Sequence, residues 1–264
     1  MIKYRSFAED IAKRAGVVIR EHFGLGMSKS WKSDNSPVTK TDLMVNTMLL
    51  DKVQQHFPSH RVLAEEESRM EGESEYVWVC DPVDGTIPFS HGVPLCTFSL
   101  ALTKNGESIL GVVYDPFGDR LFIAEKGQGA YLNGSRLRVS ERGELKGAVA
   151  DCEGFAAAHY DISQFTDRLM LKEGVIAMVL CSFIYPSVLV AVGEFAFTVF
   201  SHTTAHDVAA VKIIVEEAGG KVTDLFGEEQ RYDRPVRGLI ASNGVLHDRL
   251  VALARETVKD RYTH

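Results

Sequence analysis

Cysteine is scarce. Cys80, Cys96, Cys152 and Cys181 are the only four in 264 residues, far apart, mostly among apolar neighbours and never in a CxxC spacing. That argues against a disulfide framework or a thiolate zinc site and predicts buried, reduced thiols. No stretch approaches the roughly twenty uncharged apolar residues that a membrane span needs, and the N-terminus, MIKYRSFAED, has no signal-peptide pattern. Basic clusters are missing as well. With a net charge of -7, neither nucleic acid nor a membrane is an expected partner, and a polyanion would need metal ions in between. The expected location is the cytoplasm. Internal repeats and low-complexity linkers are also absent. What remains is ordinary globular composition, 45% hydrophobic and 25% charged, enough for one large domain or two closely packed lobes.

Periodicity predicts helices at both ends and strands between. Phe7, Ile11, Ala15, Val18, Ile19 and Phe23 share one helical face within 4–23, and Val45, Met48, Leu49, Val53 and Phe57 share another in a helix ending near Pro58. Strands are expected at 61–65, 76–81, 96–104, 110–115 and 119–125, with Asn105-Gly106 as a turn, which makes a largely antiparallel meander. Beyond about residue 145 the pattern becomes alternating: strands 147–151 and 174–180, a helix near 185–193, strand 195–200, and a helix at 207–218 closed by Gly219-Gly220. Strands near 221–224 and 237–241 and a helix from about 244 to 257 follow. The expected fold class is layered α/β (α+β), with an N-terminal lobe over 1–145 and a C-terminal lobe over 146–264.

The stretch CDPVDGTIPF, 80–89, places Asp81 and Asp84 at the exit of an apolar strand, and Glu65, Glu66 and Glu67 leave the strand before it. Carboxylates gathered within ~5 Å raise one another's pKa values and call for a cation, and all-oxygen ligands favour a hard divalent ion such as Mg²⁺. Gly85 permits close backbone approach, Thr86 adds a hydroxyl, and a helix beginning at Pro88 would aim its N-terminus at an anion. The same run reads equally well as turn chemistry, the glutamates as a solvated loop, and Asp207 as a plain N-cap of the 207–218 helix. Three separated acidic sites together match what a multi-metal centre needs.

EES at 66–68, WVCDPVDGTIPFSHGVPLCTFSLAL at 78–102, GVVYDPFGDRLFIAEKGQGAYLNG at 111–134, HDVAAVKIIVEEAGG at 206–220 and SPVTKTD at 36–42 resemble the inositol monophosphatase-like, lithium-sensitive, magnesium-dependent phosphatases over nearly the whole chain. The resemblance implies an αβαβα sandwich of the sugar-phosphatase type, commonly a homodimer, using two or three Mg²⁺. It implies Glu66, Asp81, the Val83 carbonyl, Asp84 and Asp207 as metal ligands, and Glu66, Thr86 and Asp42 as catalytic, with Thr86 and Asp42 positioning the attacking water. Backbone N–H groups of Gly85 and Thr86 would hold phosphate, and residues 30–40 with Lys32 would form the family's mobile loop. His91, His202 and His206 are expected to be structural or supporting.

Recognition departs from the family pattern. Ile87-Pro88-Phe89 replaces the usual Thr-Asn-Phe-like sequence, and Phe200 stands seven positions before Asp207, where inositol phosphatases carry an acid. Ser182 is kept from the family's Gly-Ser-Ala region, so Ser182 and Phe200 are the substrate-side candidates. A polyol would leave hydroxyls unpaired against Phe200 at ~1–3 kcal/mol each. Alternatively Phe183, Phe195, Phe197 and Phe200 are core residues and recognition lies elsewhere. The expected activity is a Mg²⁺-dependent phosphomonoesterase acting on a small phosphorylated metabolite: a sugar, polyol or amino-alcohol phosphate. The alternatives are a fructose-1,6-bisphosphatase or 3'(2'),5'-bisphosphate nucleotidase of the same fold, and a non-catalytic regulatory relative.

Overall fold

The computed structural model describes residues 2–33, 36–155 and 158–262. The chain begins with α1 (Ile2–His22), whose Ala8, Ile11, Ala12, Ala15 and Ile19 recur at helical spacing and are fully buried. An antiparallel pair, β1 (Lys29–Trp31) and β2 (Pro37–Thr39), leads into α2 (Lys40–His56). Thr39 caps α2 in a reciprocal box: the Thr41 amide donates to the Thr39 hydroxyl at 3.2 Å, and the Thr39 amide donates to Asp42 Oδ2 at 3.0 Å.

A seven-stranded sheet follows, built from β3 (Arg61–Ala64), β4 (Tyr76–Asp84) and, after the short α3 (Thr86–Ser90), β5 (Thr97–Lys104), β6 (Glu107–Asp115), β7 (Arg120–Glu125), β8 (Gly129–Leu132) and β9 (Ser135–Arg136). β3 lies parallel to β4, and every later neighbour is antiparallel, so the expected meander is present and runs two strands further. Alternation sorts its faces. Trp78, Cys80, Leu100 and Val112 pack against α1 and α2, while Val79, Ala101 and Val113 face the opposite way.

The second half supplies β10 (Val149–Glu153), β11 (Tyr160–Asp161), α4 (Ser163–Leu171), β12 (Ile176–Met178), α5 (Ile184–Val192), β13 (Phe197–Phe200), α6 (Ala209–Glu217), β14 (Lys221–Thr223), β15 (Leu239–Ser242), α7 (His247–Thr257) and β16 (Lys259–Asp260). Its five-stranded sheet has the order β12-β10-β13-β15-β14, parallel across the first three and antiparallel across the rest. α5 and α6 fill the space between the two sheets, where Val188, Val211 and Ile214 meet Val113 and Phe122 from one side and Leu239 and Ala241 from the other. α4 and α7 cover the far face through Phe165, Leu169, Leu250 and Ala254. The layers therefore run αβαβα, as expected. All four cysteines are free; three are buried and Cys181 is partly exposed. No helix among the described residues is long and apolar enough to cross a membrane.

Candidate active site

β3 and β4 run in parallel register with Ala64 opposite Cys80, so the glutamates leaving β3 emerge beside Asp81 and Asp84. The β4–β5 ladder is irregular there: Asp81 pairs with Ser99, and the next pair is Asp84 with Thr97. A bulge of this kind re-aims side chains at a sheet end. Gly85 follows at φ +82°, where an added Cβ would sit 3.1 Å from the Leu95 carbonyl oxygen, so both backbone and space demand glycine. From the other sheet, the segment between β13 and α6 brings Asp207 to the same place. The result is a cleft of about 410 Å³ with Glu65, Asp81, Asp84, Gly85, Thr86 and Asp207 on its acidic side.

Each carboxylate has partners. Asp84 Oδ2 accepts from Thr97 Oγ1 at 3.0 Å and from the Ser182 hydroxyl, while its Oδ1 accepts from the Phe183 amide at 2.9 Å. Asp81 Oδ1 accepts from the Val83 amide at 3.0 Å. Thr86 Oγ1 lies 2.8 Å from the Val83 carbonyl and 3.1 Å from Asp42 Oδ1, with one proton to give. Asp207 Oδ2 lies 2.7 Å from His202 Nδ1 and accepts from the Thr204 hydroxyl. Lys32 Nζ bridges Glu65 Oε1 at 2.8 Å and Glu66 Oε1 at 2.6 Å.

The electrostatics show how strongly these acids feel one another. Burial, then the charges of Glu65, Asp84, Asp207 and Asp42, push Asp81 well above the usual carboxylate range. Asp84 is pushed up to about 7, first by burial and further by Asp207, against the pull of its hydrogen bonds to Ser182, Phe183 and Thr97. Burial chiefly raises Asp42 and Glu66 too. Asp207 goes the other way: its burial is outweighed by His206, His202 and Thr204.

Asp81, Val83, Asp84, Gly85, Thr86, Ser182 and Asp207, all anticipated from sequence, share the cleft. Asp42 and Glu66 do not line it; Asp42 reaches it through Thr86, and Glu66 through Lys32 and Glu65. Asp207 precedes α6 but is not its N-cap, which is Val208. Two local expectations change. α3 starts at Thr86 rather than Pro88 and has only five residues, too short to supply much of a helix dipole. Phe200 is 1% exposed and does not line the cleft: strand alternation turns it into the core between the sheets, with its ring 4.7 Å from that of Phe183, which does line it. Glu67 is exposed, and only its backbone is held, by Asn46. Sequence reading missed Thr97 and Thr204 as partners of Asp84 and Asp207; nothing in their spacing marks them.

The model of the inositol monophosphatase family matches residues 2–259. The chain belongs to that family. It is 34% identical to a fructose-1,6-bisphosphatase/inositol-1-monophosphatase of Thermotoga maritima over 96% of each chain, and 35% identical to inositol monophosphatase 1 of Solanum lycopersicum over 94% of this chain and 93% of that one. A solved IMPase from Thermotoga maritima superimposes with a TM-score of 0.87 at 33% identity, covering 97% of this chain and 98% of that one. Membership of the inositol monophosphatase family makes the chain a phosphoric monoester hydrolase.

The site fits a hard cation. Its donors are carboxylate, carbonyl and hydroxyl oxygens, and burial, followed by the charges of neighbouring acids, makes Asp81 and Asp84 costly to ionise unless a cation joins them. Among the described residues no three acidic, histidine or cysteine side chains stand close enough to grip one ion as they are. Lys32, Ser182, Thr97, His202 and Thr204 occupy oxygens of Glu66, Asp84 and Asp207 that a cation would otherwise take.

Proposed function

We propose that this chain is a Mg²⁺-dependent phosphomonoesterase that hydrolyses a small phosphorylated metabolite by direct attack of water, with no covalent enzyme intermediate. The supporting observation is the convergence of Asp81, Asp84 and Asp207, from opposite halves of the chain, on one cleft that also contains Gly85 and Thr86. Asp81, the Val83 carbonyl, Asp84, Asp207 and Glu66 would hold two or three ions. Bound magnesium would supply charge neutralisation at phosphorus and a more acidic water.

The protein's own groups do the rest. Thr86 Oγ1, within reach of Asp42 Oδ1 at 3.1 Å, would accept a hydrogen bond from the attacking water and pass its own proton to Asp42 as the water gives one up, and Asp42 would anchor that relay because its other oxygen is fixed by the Thr39 cap. Backbone N–H groups of Gly85 and Thr86 would hold the phosphate at the turn that Gly85 makes with φ +82°. Ser182 and the Phe183 amide hold Asp84 in place from the far lobe. Lithium inhibition and a homodimer belong to the same proposal, on family resemblance.

The deciding experiment is phosphate release from glycerol 2-phosphate by wild type and Asp84→Asn, with Mg²⁺ titrated from zero under chelation. Activity is expected to require Mg²⁺ and to be lost in the variant while its circular dichroism stays native. Turnover in chelator, or a variant as active as wild type at limiting Mg²⁺, overturns the proposal.

A further inference from the structure

Opposite the acidic side, the cleft is walled by rings. Phe155, Phe183, His159, His202 and Tyr262 all line it. Phe183 is clamped, with Phe200 beneath it at 4.7 Å, the His202 ring stacked at 4.9 Å and 29°, and the Phe155 ring edge-on at 5.7 Å and 87°. His159 and Tyr262 meet at 4.9 Å. Phe155 is 38% exposed and Tyr262 68% exposed, large apolar faces left open to the cleft.

These rings are placed there by dedicated contacts. The two-residue pair β11–β16 joins Tyr160 to Asp260, the Arg261 amide donates to the His159 carbonyl at 3.0 Å, and Arg261 Nη1 donates to the Phe155 carbonyl at 3.2 Å. Residues 259–261 are thereby tied to the cleft rim.

We propose that the organic part of the substrate is a flat aromatic or heteroaromatic ring on an alcohol that carries a single phosphate. The inference rests on the phosphomonoesterase reading and narrows it. The histidines of this wall are already engaged, His159 with Asp260 at 3.1 Å and His202 with Asp207 at 2.7 Å, which leaves a polyol chiefly the hydroxyls of Tyr262, Ser201 and Thr203 beside the rings. A second phosphate fares no better. Among the described residues lining the cleft there is no lysine or arginine to receive it. A planar π-system, by contrast, gains offset or edge contacts with Phe155, Phe183 and Tyr262.

The test compares kcat/KM for 2-phenylethyl phosphate, glycerol 2-phosphate, myo-inositol 1-phosphate and fructose 1,6-bisphosphate under one Mg²⁺ concentration, in wild type, Phe155→Ala and Tyr262→Ala. The first ester is expected to lead by about ten-fold, the size of one good ring contact. In either variant, its advantage over glycerol 2-phosphate is expected to shrink several-fold, mainly through KM, with thermal unfolding confirming that the variants fold. A lead for inositol phosphate or the bisphosphate, or variants that lower all four esters in equal proportion, refutes the ring assignment and leaves the phosphatase reading standing. Release from none of the esters overturns that reading and this one together.

Discussion

Replacing Asp151 by Asn should remove one pH dependence of stability and leave the others. Asp151 and Glu153 stand two apart on β10, hence on one face of the strand, while Cys152 between them points into the far core. Glu153 Oε1 accepts from the Leu180 amide at 2.8 Å and the Cys181 amide at 2.6 Å, and Asp151 Oδ2 accepts from Leu180 at 3.1 Å. Both side chains are buried and Glu153 Oε2 has no hydrogen-bond partner, so ionising both carboxyl groups in this pocket is costly. Burial and then the Glu153 charge push Asp151 up to about 8. The folded state thus keeps a proton that the unfolded chain releases near pH 4, so stability falls as pH rises from about 4 to about 8.

One proton is worth about 1.4 kcal/mol per pH unit, or about 2.7 kcal/mol between pH 5 and 7. Asn is neutral like the protonated acid, and its oxygen can accept from the Leu180 amide as Asp151 does. The stability difference, wild type minus Asp151→Asn, should therefore shrink by about that amount from pH 5 to 7. Urea unfolding followed by tryptophan fluorescence measures it, in chelator so that divalent ions do not couple to Asp81 and Asp84. The Asp84 charge contributes the smallest part of the Asp151 shift, so only that small coupling fails to cancel between the two proteins. Parallel stability curves would show that Asp151 holds no proton in the folded state. The consequence reaches the site, because the braced turn holds Cys181 at φ +54° and continues into Ser182 and Phe183, which position Asp84.

Lys32→Met should lower thermal stability in chelator, since Glu65 and Glu66 lose their counter-charge, and should enlarge the rise in Tm on adding Mg²⁺; equal Mg²⁺ shifts in both proteins would contradict a competing ammonium. Gly111→Ala should cost about 1–3 kcal/mol in urea unfolding. The added Cβ would lie 2.6 Å from Ile213 Cγ2 and 2.8 Å from the Ala210 carbonyl oxygen, where α6 rests directly on β6; an unchanged midpoint would contradict that packing.

What the sequence revealed and what it hid follow from the distance over which each feature is determined. α1 and α2 were legible because one helical face repeats its apolar residues, and β5 to β7 because adjacent strands are joined by short turns. The acidic side of the site was legible because Asp81, Asp84, Gly85 and Thr86 are contiguous. α4 was not anticipated: it buries only Phe165 and Leu169 and has no side-chain N-cap. β11 and β16 are two residues each and pair Tyr160 with Asp260 across the whole C-terminal half, a contact with no local signature. Phe200 shows the same limit in reverse. Its position relative to Asp207 marked it as substrate-facing, but the register of β13, Phe200 opposite Glu153 and Leu239, turns the ring inward, and Phe183 stands in the cleft instead. Most of the acidic side of the cleft is written in one short motif, joined by Asp207 from the other half of the chain, whereas the ring wall of Phe155, Phe183 and Tyr262 is assembled by pairings that only the folded chain brings about. Substrate choice within such a family can therefore change through residues far from the shared motif, while the acidic cluster stays as it is.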